Sequence, residues 1–573
     1  MRKRARKACV PCHQRKRKCN GEYPCGTCSS YEYNCNYADD DANGYAPPPA
    51  KRVNQVADSG NSSQVEPGPE EAGVSSTKSH TLGTDSLSAL AGTTPAGIFD
   101  EHKSRYAGAS AAMAFPHVLG RALGSDSPSK IHSLAYNFGN RPEEVSSAHV
   151  LLGTLIAEDE LEFFSGVYFS ALAPIGDILD ARIYAQRCRD YYRGSSSSMI
   201  AFSAVAAGVA ALGSFLSPNR HTRESDLVQH AKAILDDPAS LRTLGIDHII
   251  AWSMRVFYLR ATSRPINAWI ASCTMMHLCE AVGLHEDDNI KKMASVAGAA
   301  VVGHDADRLR RIFWIAWAGH NLLSYEYDRS AVQFRAVTCQ TIIPTTGSVA
   351  HQFVQIAQII PAPNSPFRLE CHPRTPREEL FARLKALEKL QFTHPFLVVT
   401  RAELAFCFYR RIYQLKMGVS DDLIKLITDS GNAAIDAAQQ LADQGRLFWN
   451  VIGSVFHYNC VLLAMDTPAA SVYIAAAFKG LENLVKAADT GPTREALSMV
   501  RHLLSLHTAR KRQELAQLEA VESGCQFPQV QPYFEANNVV PDMDWGVEWE
   551  HFLVEPYLSM FGPDVQLQWH EER

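Results

Sequence analysis

The sequence predicts a small head stapled through cysteines, a disordered linker and a large all-α domain. Three observations lead there. Six of the fourteen cysteines fall between positions 9 and 35; Gly, Ser, Pro, Thr and Asp dominate from 38 to about 145; and helical periodicity then runs from about 146 to 532 with no sustained alternation of period two. The 573 residues suffice for two or three domains, and 46% hydrophobic with 20% charged residues fits a globular protein carrying some disordered sequence.

In the head, residues 1–37, the cysteines are spaced C-x2-C-x6-C-x5-C-x2-C-x6-C: Cys9, Cys12, Cys19, Cys25, Cys28 and Cys35. Few apolar side chains accompany them, chiefly Val10, Tyr23, Tyr31, Tyr33 and Tyr37, so the unit needs a covalent or metal staple. A three-disulfide knot requires an oxidising compartment. The opening MRKRARK is basic like the start of a secretory signal, but a charged, cysteine-rich stretch follows it where an apolar segment should stand, and export is not expected. Zinc fits better, because soft thiolates hold it tetrahedrally and neighbouring Arg and Lys favour the thiolate form. Six thiolates fill eight positions around two zinc ions only if two of them bridge.

Charge points to a polyanionic partner. Residues 1–37 carry nine basic side chains against Glu22 and Glu32, a local +7, which leaves −13 for the rest of a chain whose total is −6. Four consecutive cations, Arg15, Lys16, Arg17 and Lys18, lie between Cys12 and Cys19. Such a run between two metal ligands suits DNA; the blander readings are a solvated face or an import signal. Arg2 to Lys7 serve as import signal, phosphate clamp or both.

The stretch KACVPCHQRKRKCNGEYPCGTCSSYEYNC resembles the fungal binuclear zinc-cluster family of transcription factors at all six cysteines, at the basic run before the third and at Pro24 before the fourth. The resemblance implies double-stranded DNA as partner and two zinc ions per head. Cys9 and Cys25 would bridge, Cys12 and Cys19 would complete one site, and Cys28 and Cys35 the other. It places the basic run on a short helix, with Lys16 in the slot that contacts the guanines of a CGG triplet and Arg15, Arg17 and Lys18 on phosphates. His13 stands where the family often has Arg, so one phosphate contact is weakened. CGTCSSYEYNC carries no Lys or Arg, so its backbone contact falls to amides or hydroxyls. Residues 38–80 show no coiled-coil pattern, so half-site spacing cannot be read.

Residues 38–145 read as a mostly disordered linker, with two apolar patches, AAMAFPHVLGRAL and KIHSLAYNFG, that could dock on the next domain. In the body, helices are expected at 266–282, 309–323, 402–417, 421–443, 447–465, 472–488 and 495–518. Pro265 suits a first turn, Gly283 a helix end, and Ile270, Cys273, Met275 and Met276 supply apolar positions. The uncharged stretch from Gly194 to Asn219 is long enough to span a bilayer. Its Ala, Gly and Ser content favours a buried soluble helix ending at Pro218, and no membrane partner is expected. The other eight cysteines read as buried thiols.

Roughly 150–470 resembles the fungal transcription-factor regulatory domain, through VYFSALAPIGDIL, AWIASCTMMHLCEAVGLHED and RLRRIFWIAWAGHNLLSYEYDRSAV. Here Gly319-His320-Asn321 stands where the family has Leu-Asp-Arg, and Tyr327-Asp328-Arg329-Ser330 departs from its Gly-Arg-Pro; both departures read as loops. Phe313, Trp314, Trp317 and Trp269 are expected in the core, and His285 at a helix end satisfying carbonyls. No HExxH, GxSxG, Walker A or GxGxxG motif occurs, so no enzyme is expected. Residues 533–573 form an acidic-aromatic segment. From Pro541 its Trp545, Trp549, Phe552, Tyr557 and Trp569 interleave with acids, the composition of an activation segment that engages a coactivator. The alternative is a last helix docked on the body.

Together these features describe a zinc-stapled binuclear cluster head, a disordered linker and a large all-α regulatory domain: a nuclear, sequence-specific transcription regulator whose helical domain regulates or forms a homodimer. A structural protein of chromatin without an activation segment would share the head.

Overall fold

The computed structural model describes residues 8–14 with Cys19, Glu22, Cys25, Cys28 and Cys35; residues 98–100, 105–108, 111, 119 and 123; and residues 150–523 apart from 196–198, 239–243, 371–372 and 417–419. The C-terminal segment and both apolar linker patches, except Ala111, Leu119 and Leu123, lie outside them; the two leucines are exposed. Contacts divide the chain into two units, residues 1–81 and 82–573.

In the first unit, α1 spans Val10–Gln14. The second begins with a two-stranded antiparallel hairpin, β1 (Ile98–Asp100) and β2 (Arg105–Ala107), within the stretch read as linker. Phe99 packs on the helical core and the Tyr106 ring meets His285 edge-on at 4.8 Å. Strands of three residues are too short to show alternation, which is why the sequence reading did not foresee them.

Helices build the rest. α2 (Glu158–Ala171), α3 (Ala181–Asp190), α4 (Ile200–Leu216), α5 (Glu224–Leu235), α6 (Ile246–Thr262) and α7 (Pro265–Ala281) form a first bundle in which α4 packs against α2, α5 and α6. α8 (Asp287–Ser295), α9 (Ala306–Glu326) and α10 (Ala350–Gln358) follow. A second bundle comprises α11 (Pro376–Lys389), α12 (Pro395–Gln414), α13 (Asp421–Asp443), α14 (Trp449–Met465), α15 (Pro468–Ala487) and the 32-residue α16 (Gly491–Glu522). α9 and α10 both touch α12 and so join the bundles.

Local chemistry fixes many of the ends. Pro265, Pro376, Pro395 and Pro468 occupy first turns, where the missing N–H costs nothing. Asp180, Asp305, Ser420 and Thr490 accept hydrogen bonds from first-turn amides. Gly283 ends α7 at φ 80°: Leu284 N donates to Cys279 O and Gly283 N to Glu280 O, both at 2.9 Å. The seven expected helices are all present: 421–443 agrees at both ends, and the ends of the others shift by up to seven residues, most at the start of α12.

α4 carries no charge and 13 of its residues are buried, as expected of a helix surrounded by others. No helix of the described residues is long and apolar enough to cross a membrane. Small residues let backbones meet here: a Cβ on Gly213 would stand 1.9 Å from the Phe164 carbonyl oxygen of α2. Ser217 is extended, as a residue before proline must be, and the helix stops.

Several details differ from expectation. The buried face of α7 consists of Ala268, Ala271, Ser272, Met275, Met276 and Cys279, whereas Ile270 is exposed and Cys273 half-buried. Periodicity alone does not choose between two apolar faces. Phe313, Trp314 and Trp317 are core residues, but Trp269 is half-buried, donating from Nε1 to Ser330 O at 3.2 Å beneath the Arg329 guanidinium. His285 caps no carbonyls: its ring lies between Tyr106 and Phe334, its Nδ1 has no partner, and burial pushes its pKa down to about 4. Gly319-His320-Asn321 is not a loop but the interior of α9. His320 Nε2 accepts from Val332 N at 2.8 Å, so the proton sits on Nδ1 and is donated to Ser272 Oγ at 2.8 Å. Of the eight other cysteines, Cys371 and Cys525 lie outside the described residues; Cys188, Cys279, Cys339 and Cys407 are buried and Cys273 and Cys460 half-buried.

Arginine forks hold α9 to its surroundings. Arg310 Nε donates to Asp287 Oδ1 at 2.7 Å and draws that carboxyl down to about 2. Arg311, 2% exposed, reaches Asp177 Oδ2 and Asp307 Oδ2 at 2.8 Å and the Ile343 carbonyl at 2.7 Å.

Candidate metal centre and nucleic-acid interface

The head has sulfur where other domains have a hydrocarbon core. Cys9, Cys25 and Cys28 are fully buried, Cys12 and Cys35 nearly so, and Cys19 is half-buried; among the described residues only Ala8 and Cys19 pack against the other five. α1 places the first pair: Cys9 immediately precedes it, accepting from His13 N at 2.9 Å, and Cys12 lies within its single turn.

Sulfur separations test the two staples. Cys9 Sγ lies 3.6 Å from Cys25 Sγ and 3.5 Å from Cys28 Sγ, and Cys12 Sγ lies 3.5 Å from Cys25 Sγ. A disulfide needs about 2.05 Å, and all six cysteines are free. Zinc at its usual ~2.3 Å from each sulfur would set tetrahedral neighbours roughly 3.8 Å apart, close to what is seen. The sulfurs form two groups of four whose ligand atoms lie within 4.8 Å of one another: Cys9, Cys12, Cys19 and Cys25, and Cys9, Cys25, Cys28 and Cys35. Cys9 and Cys25 belong to both. The donor set, all soft sulfur without a carboxylate, suits zinc.

Backbone amides support the shared sulfur. Cys28 N donates to Cys25 Sγ at 3.3 Å, and this bond leads in drawing the Cys25 thiol down, while burial pushes the neighbouring Cys12 and Cys28 thiols up. Cys25 N donates likewise to Cys35 Sγ at 3.3 Å. The sequence reading found the six side chains and missed these two N–H groups, which no residue type announces.

Of the expected DNA-facing residues, His13 is exposed at the end of α1, while Arg15, Lys16, Arg17 and Lys18 lie outside the described residues.

Comparison with known proteins adds two domain matches. The fungal Zn(2)-Cys(6) binuclear cluster domain matches residues 7–43 and the fungal specific transcription factor domain matches residues 163–318. The chain is 37% identical to Protein RDR1 of Saccharomyces cerevisiae over 90% of its own length and 92% of that protein's. It is 30% identical to Transcription factor kojR of Aspergillus oryzae over 90% and 86% of the two lengths. A probable transcriptional repressor of Schizosaccharomyces pombe shares 21% over 77% and 92%. No solved structure matches.

Proposed function

The chain belongs to the fungal zinc-cluster transcription factors, DNA-binding regulators whose cluster domain holds two zinc ions, and from that premise we propose how this head reads DNA. Cys9 and Cys25 bridge two zinc ions, Cys12 and Cys19 complete one site, and Cys28 and Cys35 the other. Lys16 reads the guanines of a CGG-type triplet, while Arg15, Arg17 and Lys18 hold phosphates, with His13 at the edge of that contact.

The observation that carries this reading is the sharing of one four-sulfur group by Cys12 and Cys19. The basic run is the chain between those two ligands, and one zinc ion bound by both would anchor the residues that flank it on either side. Zinc's contribution is to hold the thiolates; the cations do the recognition. Lys16→Ala is expected to cost about 1–3 kcal/mol on a CGG site and to erode its preference over scrambled DNA. Arg17→Ala should weaken both DNAs alike and lower the salt slope by about one. Equal loss of specificity in both variants, measured by fluorescence anisotropy across a salt series, rules out this division of roles.

The reading extends to a nuclear protein that activates transcription through residues 541–573 and pairs through its helical domain. Fused to a heterologous DNA-binding domain, residues 541–573 should drive a reporter, and Trp545→Ala with Trp549→Ala should silence it. A fusion inert from the start excludes this role. Support for pairing comes from α16, where Leu506, Leu515, Leu518 and Val521 are more than half exposed. Leu515→Glu with Leu518→Glu should turn a dimer into a monomer in sedimentation velocity; a dimer that survives the change pairs elsewhere.

A further inference from the structure

Where the two helical bundles meet, α6, α7, α9, α10, α12 and α14 line a cavity of about 70 Å³ that opens in part to solvent. Its wall is mostly apolar, with Phe257, Phe353 and Trp449 supplying aromatic faces. Half-buried Phe257, Gly319 and Trp449 place part of it toward solvent. Gly319 opens the wall of α9: a Cβ there would meet nothing within 4 Å. The first departure from the resembling family's Leu-Asp-Arg thus falls where the cavity lies.

Two polar side chains in that wall lack adequate partners. Asn450, 1% exposed, donates from Nδ2 to Thr400 Oγ1 at 3.1 Å, which fixes its amide and leaves Oδ1 buried without a partner. An orphaned buried acceptor costs roughly 1–3 kcal/mol. Glu403, 8% exposed, has His457 Nδ1 at 3.7 Å, beyond a hydrogen bond. The other charges of the wall already balance: Arg260 pairs with Glu326, takes the Tyr327 hydroxyl oxygen at 2.7 Å and stacks on Trp449 at 5.3 Å. Glu403 has Arg260 and His457 as positive neighbours, the latter at 3.7 Å.

We propose that this cavity binds a small amphipathic amine, with its apolar body against the aromatic wall and its ammonium donating to Glu403 and to Asn450 Oδ1. Both acceptors lack a donor within hydrogen-bond distance, and one of them is a carboxyl group. An ammonium brings three N–H donors and a positive charge, whereas a hydroxyl brings one donor and a carboxylate none. Burial also pushes the Glu403 carboxyl up from its ordinary range, the mark of an anion short of stabilisation. A cation in the cavity supplies that stabilisation, and Trp449 and Phe257 offer it ring faces.

The test uses the zinc-loaded full chain without DNA, so its outcome is separate from the DNA-reading proposal. Phenylbutylamine, phenylbutanol and phenylbutyrate share one carbon skeleton and differ only in the head group. Calorimetric titration is expected to show the amine binding about ten-fold or more tightly than the other two, the worth of a charge-assisted hydrogen bond. Glu403→Gln should remove that preference. Gly319→Leu, which the open space at that position accommodates, should abolish binding of all three while circular dichroism stays unchanged. No binding of the amine, equal binding of the three compounds, or binding left intact in folded Gly319→Leu protein overturns the proposal.

Discussion

Chelating zinc from the intact protein should unfold the head and abolish DNA binding while the helical body keeps its circular dichroism. The five buried cysteines of the head have only Ala8 and Cys19 packed against them among the described residues, so little apolar packing among those residues remains once metal is gone. In small zinc-folded domains the metal supplies about 10–16 kcal/mol at neutral pH, far more than a unit of this size buries by itself. The shared sulfurs sharpen the expectation. Cys9→Ala or Cys25→Ala removes a ligand from both four-sulfur groups, so elemental analysis should show loss of both zinc ions. Cys35→Ala touches one group and should leave about one ion. A Cys9→Ala protein that retains one zinc would refute the bridging assignment.

A comparable loss is expected in the body from Arg311→Ala. That guanidinium is 2% exposed and serves Asp177, Asp307 and the Ile343 carbonyl at once. Its removal takes the Arg311 donor from the Ile343 carbonyl and partly strips Asp177, which Arg308 still holds at 2.7 Å. Breaking a buried ion pair on one side typically costs about 3–5 kcal/mol. The same change of charge at Arg510, 68% exposed in its pairs with Asp466 and Glu514, should cost no more than ~1 kcal/mol. Urea unfolding of the zinc-loaded chain compares the two; similar midpoints for both variants would show that the Arg311 network contributes nothing beyond surface pairing.

These two predictions also mark what a sequence reveals. The cysteine cluster was legible because its chemistry is written in spacing: six soft ligands without a core permit few solutions. The helix over Ile200–Leu216 was legible because Ala and Gly drive insertion into lipid poorly yet allow helices to approach closely. Arg311 was not. In RLRRIFWIAW it reads as one of several cations on a helix face, and only Asp177, 134 residues earlier in the chain, turns it inward. Glu403 and Asn450 stand alone in the apolar runs AELAFCFY and FWNVIGSV, a faint signal whose meaning depends on helices from both bundles. His285 sits beside a glycine helix end, where capping is the ordinary outcome, and was instead claimed by two aromatic rings from distant segments.

The uncharged α4 has a consequence for how the protein is made. At roughly 5–20 residues per second, the ribosome releases α4 seconds before α5 and α6, the helices that cover it. During that interval a seventeen-residue apolar segment has only α2, of its packing partners, already synthesised. Nascent chains of this protein therefore expose a sticky surface at a defined point in translation, and slow codons or a holding chaperone at that point would govern how much of the regulator reaches its folded form.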